Sequence, residues 1–497
     1  MNMKKLIACL SFLFLTAGLA SAQDLDTFSD RVTEFTLDNG LTFIVIERDV
    51  APVASFMTFV DVGSANEPVG QTGIAHIFEH MAFKGTERIG TTNYEEEKDW
   101  IDKLDEAYLA WLDEYNDPNA DEEEVERLWE EFEGIQDKAH EFVESEEYTN
   151  LIESEGGTGM NAFTSADGTG YFYSLPSNKM ELWFNLESDR FMNPVMREFY
   201  VEKDVIKEER RSRTDSDPIG RLVEEFTSVA FSAHTYKNPV IGWPSDIRNT
   251  TIQDAWDFYD THYVPSNITM AISGNVDPDE VKELAEKYFS HMPGADREAP
   301  KLRVEEPEQR GERRFTIKDR AQPVILMGYH TVDANHPDAL ALETLGNVLA
   351  QGRTSRMYQE LVVEEQSAMV INAFNGFPGD KYAGLFMILG LPNQGVEMED
   401  LEEGIMKEIE KVKEGDLEQS EIDRVVSRER AQLTRGLRNN SGMAQQFAMA
   451  NARYGSWESV FTRLQEMEEL TVEDLQRVAE QYFTENNRTV GTIETQN

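Results

Sequence analysis

The chain has 497 residues, a single cysteine, and 46 Lys and Arg against 94 Asp and Glu, for a formal net charge of −48. That acidity argues against nucleic acid and anionic lipid as partners, and a lone Cys9 excludes an intrachain disulfide. The length suits about two to four domains, with cores large enough to stand without cross-links.

The opening residues, MNMKKLIACLSFLFLTAGLASAQ, place Lys4 and Lys5 before a Leu/Phe-rich run that ends in Ala20-Ser21-Ala22. This is the pattern of a secretory signal peptide, residues 1–22, cut after Ala22. The run is short for a membrane span, and no later stretch is apolar enough to cross a bilayer. A periplasmic or secreted protein is expected, with no cysteine left in the mature chain.

From about residue 34 to 63, the runs LTFIVIERD and VASFMTFVDVG read as strands. A helix follows, roughly Thr72 to Phe83, stopped by Gly85, and it carries HIFEHMAFKG. His76 and His80 are one turn apart, so both imidazoles can reach one ion at about 2.0–2.1 Å. Glu79 lies on the same side, placed to take a proton from a water whose pKa an ion has lowered. The order is H-x-x-E-H, the inverted zinc-hydrolase motif. The alternative is that so short a pattern arises by chance and its histidines only solvate a helix.

Residues 95–147 hold two apolar stripes at helical spacing, Ile101, Leu104, Tyr108, Trp111, Tyr115 and then Val125, Leu128, Trp129, Phe132, Ile135, Ala139, Phe142, either side of the turn Asp117-Pro118-Asn119. A helical hairpin is expected. Between Asp121 and Glu147 it carries thirteen acids against two bases, which reads as a solvated helix face or as a docking surface. Strand and turn composition returns over residues 156–176, and helices are expected over 179–191 and 198–213. In the second of these Glu202 and Glu209 are two turns apart on one face, so one can ligate and the other support. Glu202 read alone is equally a solvated acid.

A strand is expected over 267–275 and a charged, Pro-bearing linker over 297–314. After it the pattern restarts. Thr251, Asp254, Asn267 and Thr269 match Thr471, Asp474, Asn487 and Thr489 at one constant spacing, and PVILMGYHTVDANHP echoes PVASFMTFVDVGSANEP. The fold class expected is α+β, with two homologous domains, 23–296 and 315–497, of antiparallel or mixed sheet packed with helices. The hairpin is inserted in the first, and the second has no metal ligands.

At GIAHIFEHMAFKGT, VIKEERRSR and NAFTSADGTGYFYSLP the chain resembles the pitrilysin/insulinase family of zinc peptidases, the inverzincins, over nearly all of its mature length. The resemblance implies one Zn²⁺ per chain held by His76, His80 and Glu209, with Glu79 as the base and Glu202 in support. It implies that peptide substrates add as a strand to an exposed edge near Asn161 and Ala162; Asn161 read alone is equally a turn residue. It also implies a chamber closed by four such domains, two chains of this length. Zinc is not distinguished from manganese or cobalt by such a ligand set.

Two departures stand out. The gap from His80 to Glu209 exceeds the family's by about the length of the acidic hairpin. And where the family's second half carries an Arg and, seven residues on, a Tyr that stabilise the tetrahedral intermediate, this chain has Val362 and Met369, which donate no hydrogen bond. The expectation is a heterodimer with a zinc-less homologous subunit that supplies the Arg/Tyr pair. The alternative is a homodimer using Arg353, Arg356 or Tyr358. The function expected is an exported zinc endopeptidase for short or unfolded peptides; the alternative is a non-catalytic peptide-binding or scaffold subunit.

Overall fold

The structure is a computed structural model that describes residues 28–496. The expected signal peptide and Cys9 lie outside the described residues.

The first half contains strands β1 (Val32–Thr36), β2 (Thr42–Glu47) and β3 (Val53–Val60), then helices α1 (Ile74–Met81), α2 (Tyr94–Asn116), α3 (Glu122–His140) and α4 (Glu147–Ser154). Strands β4 (Thr158–Thr164) and β5 (Thr169–Pro176) follow, then α5 (Met180–Met192), α6 (Phe199–Arg210), α7 (Pro218–Ala230), α8 (Pro244–Asn249), α9 (Ile252–His262), β6 (Ile268–Gly274) and α10 (Pro278–Phe289). The second half has β7 (Arg313–Asp319), β8 (Val324–His330), α11 (Ala339–Ala350), β9 (Ala368–Phe377) and β10 (Leu385–Pro392). It ends with α12 (Met398–Lys413), α13 (Gln419–Gly436), α14 (Asn440–Tyr454), α15 (Ser459–Glu468), α16 (Val472–Tyr482) and β11 (Arg488–Thr495).

The chain folds as two α+β domains, each built on a mixed sheet. The first sheet runs β1-β2-β6-β3-β5-β4 and the second β7-β11-β8-β10-β9. Apart from the extra β1, the two orders are one pattern. Each has a single parallel pair, β2 with β6 and β7 with β11, and antiparallel neighbours thereafter. The repeat seen in the sequence has a local cause. Thr251 and Asp254 form a capping box at the start of α9, and Thr471 and Asp474 form the same box on α16. Asn267 donates from its side chain to the His262 carbonyl, and Asn487 to the Tyr482 carbonyl, each closing the turn from helix into strand.

The segment read as a linker makes specific bonds. Glu306 accepts from the N–H groups of Ser232, Ala233 and His234, and Gln309 is buried against the Arg488 carbonyl. Its last residues, Arg313 and Arg314, already belong to β7.

Each half covers the other's sheet. Helix α14, from the second half, lies across β6 and β3, burying Met443, Ala444, Phe447 and Ala448 against Ile44, Met57 and Ala271. Helix α7, from the first half, lies on β11 and buries Leu222, Phe226 and Ala230 against Leu326, Met387 and Ile493. Neither sheet can bury both faces with its own residues, so the two domains should unfold together. Phe447→Ala is expected to cost about 3–5 kcal/mol within one cooperative transition in chemical denaturation. A separate transition that leaves the first half unaffected would contradict the exchange.

Candidate metal centre

Helix α1 is short and two-faced. Ile74, Ile77, Phe78 and Met81 recur at helical spacing and are buried, Phe78 against the rings of Tyr259 and Tyr263 at 5.0 and 4.7 Å. His76, Glu79 and His80 take the opposite face. The helix starts two residues later than the pattern suggested because Gly73, at φ +92°, turns the chain into it. A Cβ there would meet the Ile241 carbonyl at 2.8 Å. The first turn is held by buried Glu67, whose two oxygens accept the N–H groups of Gly73 and Ala75 at 3.0 Å each.

Helix α6 faces α1. Its Glu209 brings Oε2 to 3.7 Å from His76 Nε2 and 3.8 Å from His80 Nε2. The ligand atoms of His76, His80 and Glu209 all lie within 4.8 Å of one another, and the two imidazoles are nearly perpendicular. Donors to one ion at about 2.0–2.1 Å stand about 3.4 Å apart in a tetrahedron, and the two separations from Glu209 come close to that spacing. The chemistry fits a zinc ion: two imidazole nitrogens and one carboxylate oxygen, three of the four donors a catalytic zinc takes. Burial, then the neighbouring His80 and Arg213, lowers the pKa of His76 to about 3, which keeps it in the neutral form a ligand needs.

The surrounding groups orient this set. Glu202 Oε2 lies 2.9 Å from His80 Nδ1. A carboxylate only accepts, so Nδ1 carries a proton; burial lowers the pKa of His80, but Glu202, Glu79 and Glu209 outweigh it and raise it, so an ion would have to displace any proton on Nε2. The other oxygen of Glu202 meets Lys84 at 2.5 Å. Burial works against the charge on Glu202, but the bonds from His80 and Lys84 outweigh it and hold its pKa below the ordinary carboxylate value. Glu209 Oε1 is taken by Arg213 at 2.6 Å, leaving one oxygen for a metal. Glu79 is half-buried, which raises its pKa, and accepts a 2.6 Å hydrogen bond from Thr164 on β4. Lys84, Arg213 and Thr164 escaped the sequence reading. Arg213 lies one turn beyond Glu209 and could have been found from that spacing; nothing in the sequence links Thr164 to Glu79.

Asn161 and Ala162 sit in β4, so Asn161 is a strand residue rather than a turn residue. Among the described residues strand β4 pairs only with β5 and forms the free edge of the first sheet beside α1. In the second half, Val362 lies in a π-helical turn, Tyr358–Glu364, and Met369 is 49% exposed near the start of β9. The guanidinium of Arg356 is engaged by Glu421, Asp416 and Glu408. The equivalent of the motif helix in the second repeat, α11, is apolar and carries no histidine.

Glu202→Ala should lower zinc affinity about 10–100-fold, measured by competition with a chromogenic chelator, with the circular dichroism spectrum unchanged. An unaltered affinity would contradict the support assigned to Glu202.

Two family descriptions match the chain: Insulinase (Peptidase family M16) over residues 43–110 and 138–243, and Peptidase M16 inactive domain over 249–429. Together they span well over half of it. The chain is similar to a protein named zinc protease PqqE from Helicobacter pylori, at 28% identity over 98% of both chains. Among solved structures it is similar to a protease from Helicobacter pylori (TM-score 0.76, 26% identity, 93% of this chain and 99% of that one). It also resembles the periplasmic protease PqqL from Escherichia coli (TM-score 0.69, 17% identity), which it covers to 48% while 94% of its own length is matched.

Proposed function

The chain belongs to the insulinase family of M16 peptidases, and from that premise we propose that it is an exported zinc-dependent endopeptidase that cuts short or unfolded peptides in a chamber completed by a second unit of its own size. The observation that carries the proposal is the convergence of His76, His80 and Glu209 from two facing helices, with Glu79 beside them.

Zinc held by these three residues would polarise a scissile carbonyl and lower the pKa of water. The remaining work falls to the chain's own groups. Glu79 takes a proton from the attacking water and returns it to the leaving amine, so no covalent intermediate with the protein forms. Its burial keeps it a competent base by disfavouring the bare charge. Glu202 and Lys84 keep His80 in one tautomer and orientation. The free edge of β4, with Asn161 and Ala162, offers backbone groups to an extended peptide.

Export is supported by the N-terminal sequence, and the similar PqqL of Escherichia coli is described as periplasmic. Among the described residues no helix is long and apolar enough to cross a membrane. A second unit is supported by that neighbour's chain, about twice as long as the part this chain matches. Val362 and Met369 offer no donor for an oxyanion, and Arg356 is already engaged within its own half. These points favour a zinc-less homologous partner over a homodimer. The match to an inactive domain begins at residue 249, beyond every metal-centre residue, so it does not favour a non-catalytic subunit.

The test is hydrolysis of a mixed quenched-fluorescent peptide library by the mature chain, alone and with a zinc-less homologous chain from the same organism. Activity is expected with the partner, to vanish with a zinc chelator, and to fall about 10²–10⁴-fold in Glu79→Gln while zinc stays bound. Activity of the chain alone would overturn the need for a partner. Zinc binding with no hydrolysis in either setting would overturn the peptidase reading in favour of a peptide-binding subunit.

A further inference from the structure

We propose that Thr164 is the positioning residue for the base, and that it couples the Glu79 carboxylate to the strand on which substrate is bound. This rests on the peptidase reading above. Thr164 Oγ1 donates to Glu79 Oε2 at 2.6 Å, the hydrogen bond that fixes this half-buried carboxylate among the described residues. With one oxygen held, the other is left for proton transfer in a defined direction. A carboxylate free to rotate about its last two bonds would offer both oxygens over a spread of directions, and a general base acts only within hydrogen-bond reach of its proton.

The strand geometry makes the coupling direct. Side chains alternate along a strand, so Ala162 and Thr164 share one face of β4 and Phe163 takes the other. Ala162 accordingly packs with the core that contains α1, while Phe163 joins the cluster under α14. The small Ala162 leaves the approach to α1 open, and Thr164, two residues on, reaches Glu79. A peptide that pairs with the free edge of β4 therefore aligns with the same backbone that holds the base.

That backbone is anchored at this end. Thr164 is the last residue of β4 and pairs with Thr169 across the turn. The carbonyls of Ser165 and Ala166 accept from the N–H groups of Ser64 and Ala65 at 3.1 and 2.9 Å. Asp167 at the tip accepts from the N–H groups of Asp380 and Lys381, at 2.7 and 3.0 Å, and from the hydroxyl of Tyr236. The first two donors come from the second repeat. Thr164 thus sits on a turn clamped from three directions and cannot follow Glu79 if the carboxylate drifts.

The experiment compares wild type, Thr164→Val and Thr164→Ser as full mature chains, in whichever assembly supports wild-type activity. Valine keeps the shape and β-branching but removes the donor; serine keeps the donor. The expected result is a kcat roughly 10- to 100-fold lower for Thr164→Val, with KM and zinc affinity within about twofold of wild type, and near-complete recovery in Thr164→Ser. A wild-type kcat in the valine variant would overturn the inference. So would a loss carried by KM, a loss of zinc affinity, or a serine variant as impaired as the valine one. A wild type that binds zinc yet cuts no peptide would overturn the peptidase reading, and this inference with it.

Discussion

Everything at the candidate metal centre depends on α1 and α6 being held face to face, and buried charge does much of the holding. Arg197, just before α6, is fully buried and pairs with buried Glu97 of α2 through two nitrogens at 2.6 and 2.8 Å. The same guanidinium donates to the carbonyls of Lys84, Thr86 and Ile89, the chain that leaves α1. One side chain therefore ties the exit of the motif helix, the hairpin and the entry to α6. Removing either member of such a pair leaves the other charge buried alone, a cost of about 3–5 kcal/mol. On the far side of α6, Lys203 is buried beneath the rings of Tyr108 and Tyr200 and donates to Tyr108 and to the carbonyls of Arg248 and Thr250. The face of α6 that carries Glu202 and Glu209 is set by what presses on its back.

This gives the acidic hairpin two faces with different roles. The inner face, Leu104, Tyr108, Trp111 and Phe132, belongs to the core of the first half and touches α6 through Tyr108 and Tyr200. The outer face of α3 is almost wholly exposed and carries most of the acids. The insulinase-family match skips residues 111–137, the part of the hairpin around its turn.

Much of the site was legible because it follows from spacing within single helices. His76 and His80 are one turn apart, and Glu202 and Glu209 two turns apart, so their shared faces could be read directly. The repeat was legible because its markers, the Thr–Asp capping boxes and the Asn that closes each helix, are local devices with fixed residue types. What escaped depends on distant pairing. Thr164 and Glu79, or Lys84 and Glu202, meet only because strands and helices far apart in sequence pack together. The exchange of α7 and α14 escaped for the same reason: an amphipathic pattern says that a face is buried, not which sheet buries it. Asn161 read alone was ambiguous between turn and strand because asparagine favours the first by its own chemistry; its pairing with Phe172 across β5 decides for the second.

The reciprocal exchange of covering helices bears on how the polypeptide comes into being. Synthesis is vectorial, and β6, which completes the first sheet, emerges long before α14 does. Through that interval Ile44, Met57 and Ala271 have no lid. The first half can collapse but cannot reach its final packing until α14 has been made. A product terminated between β6 and α14 would therefore display an uncovered apolar sheet, the kind of exposed surface that makes incompletely folded chains prone to aggregate.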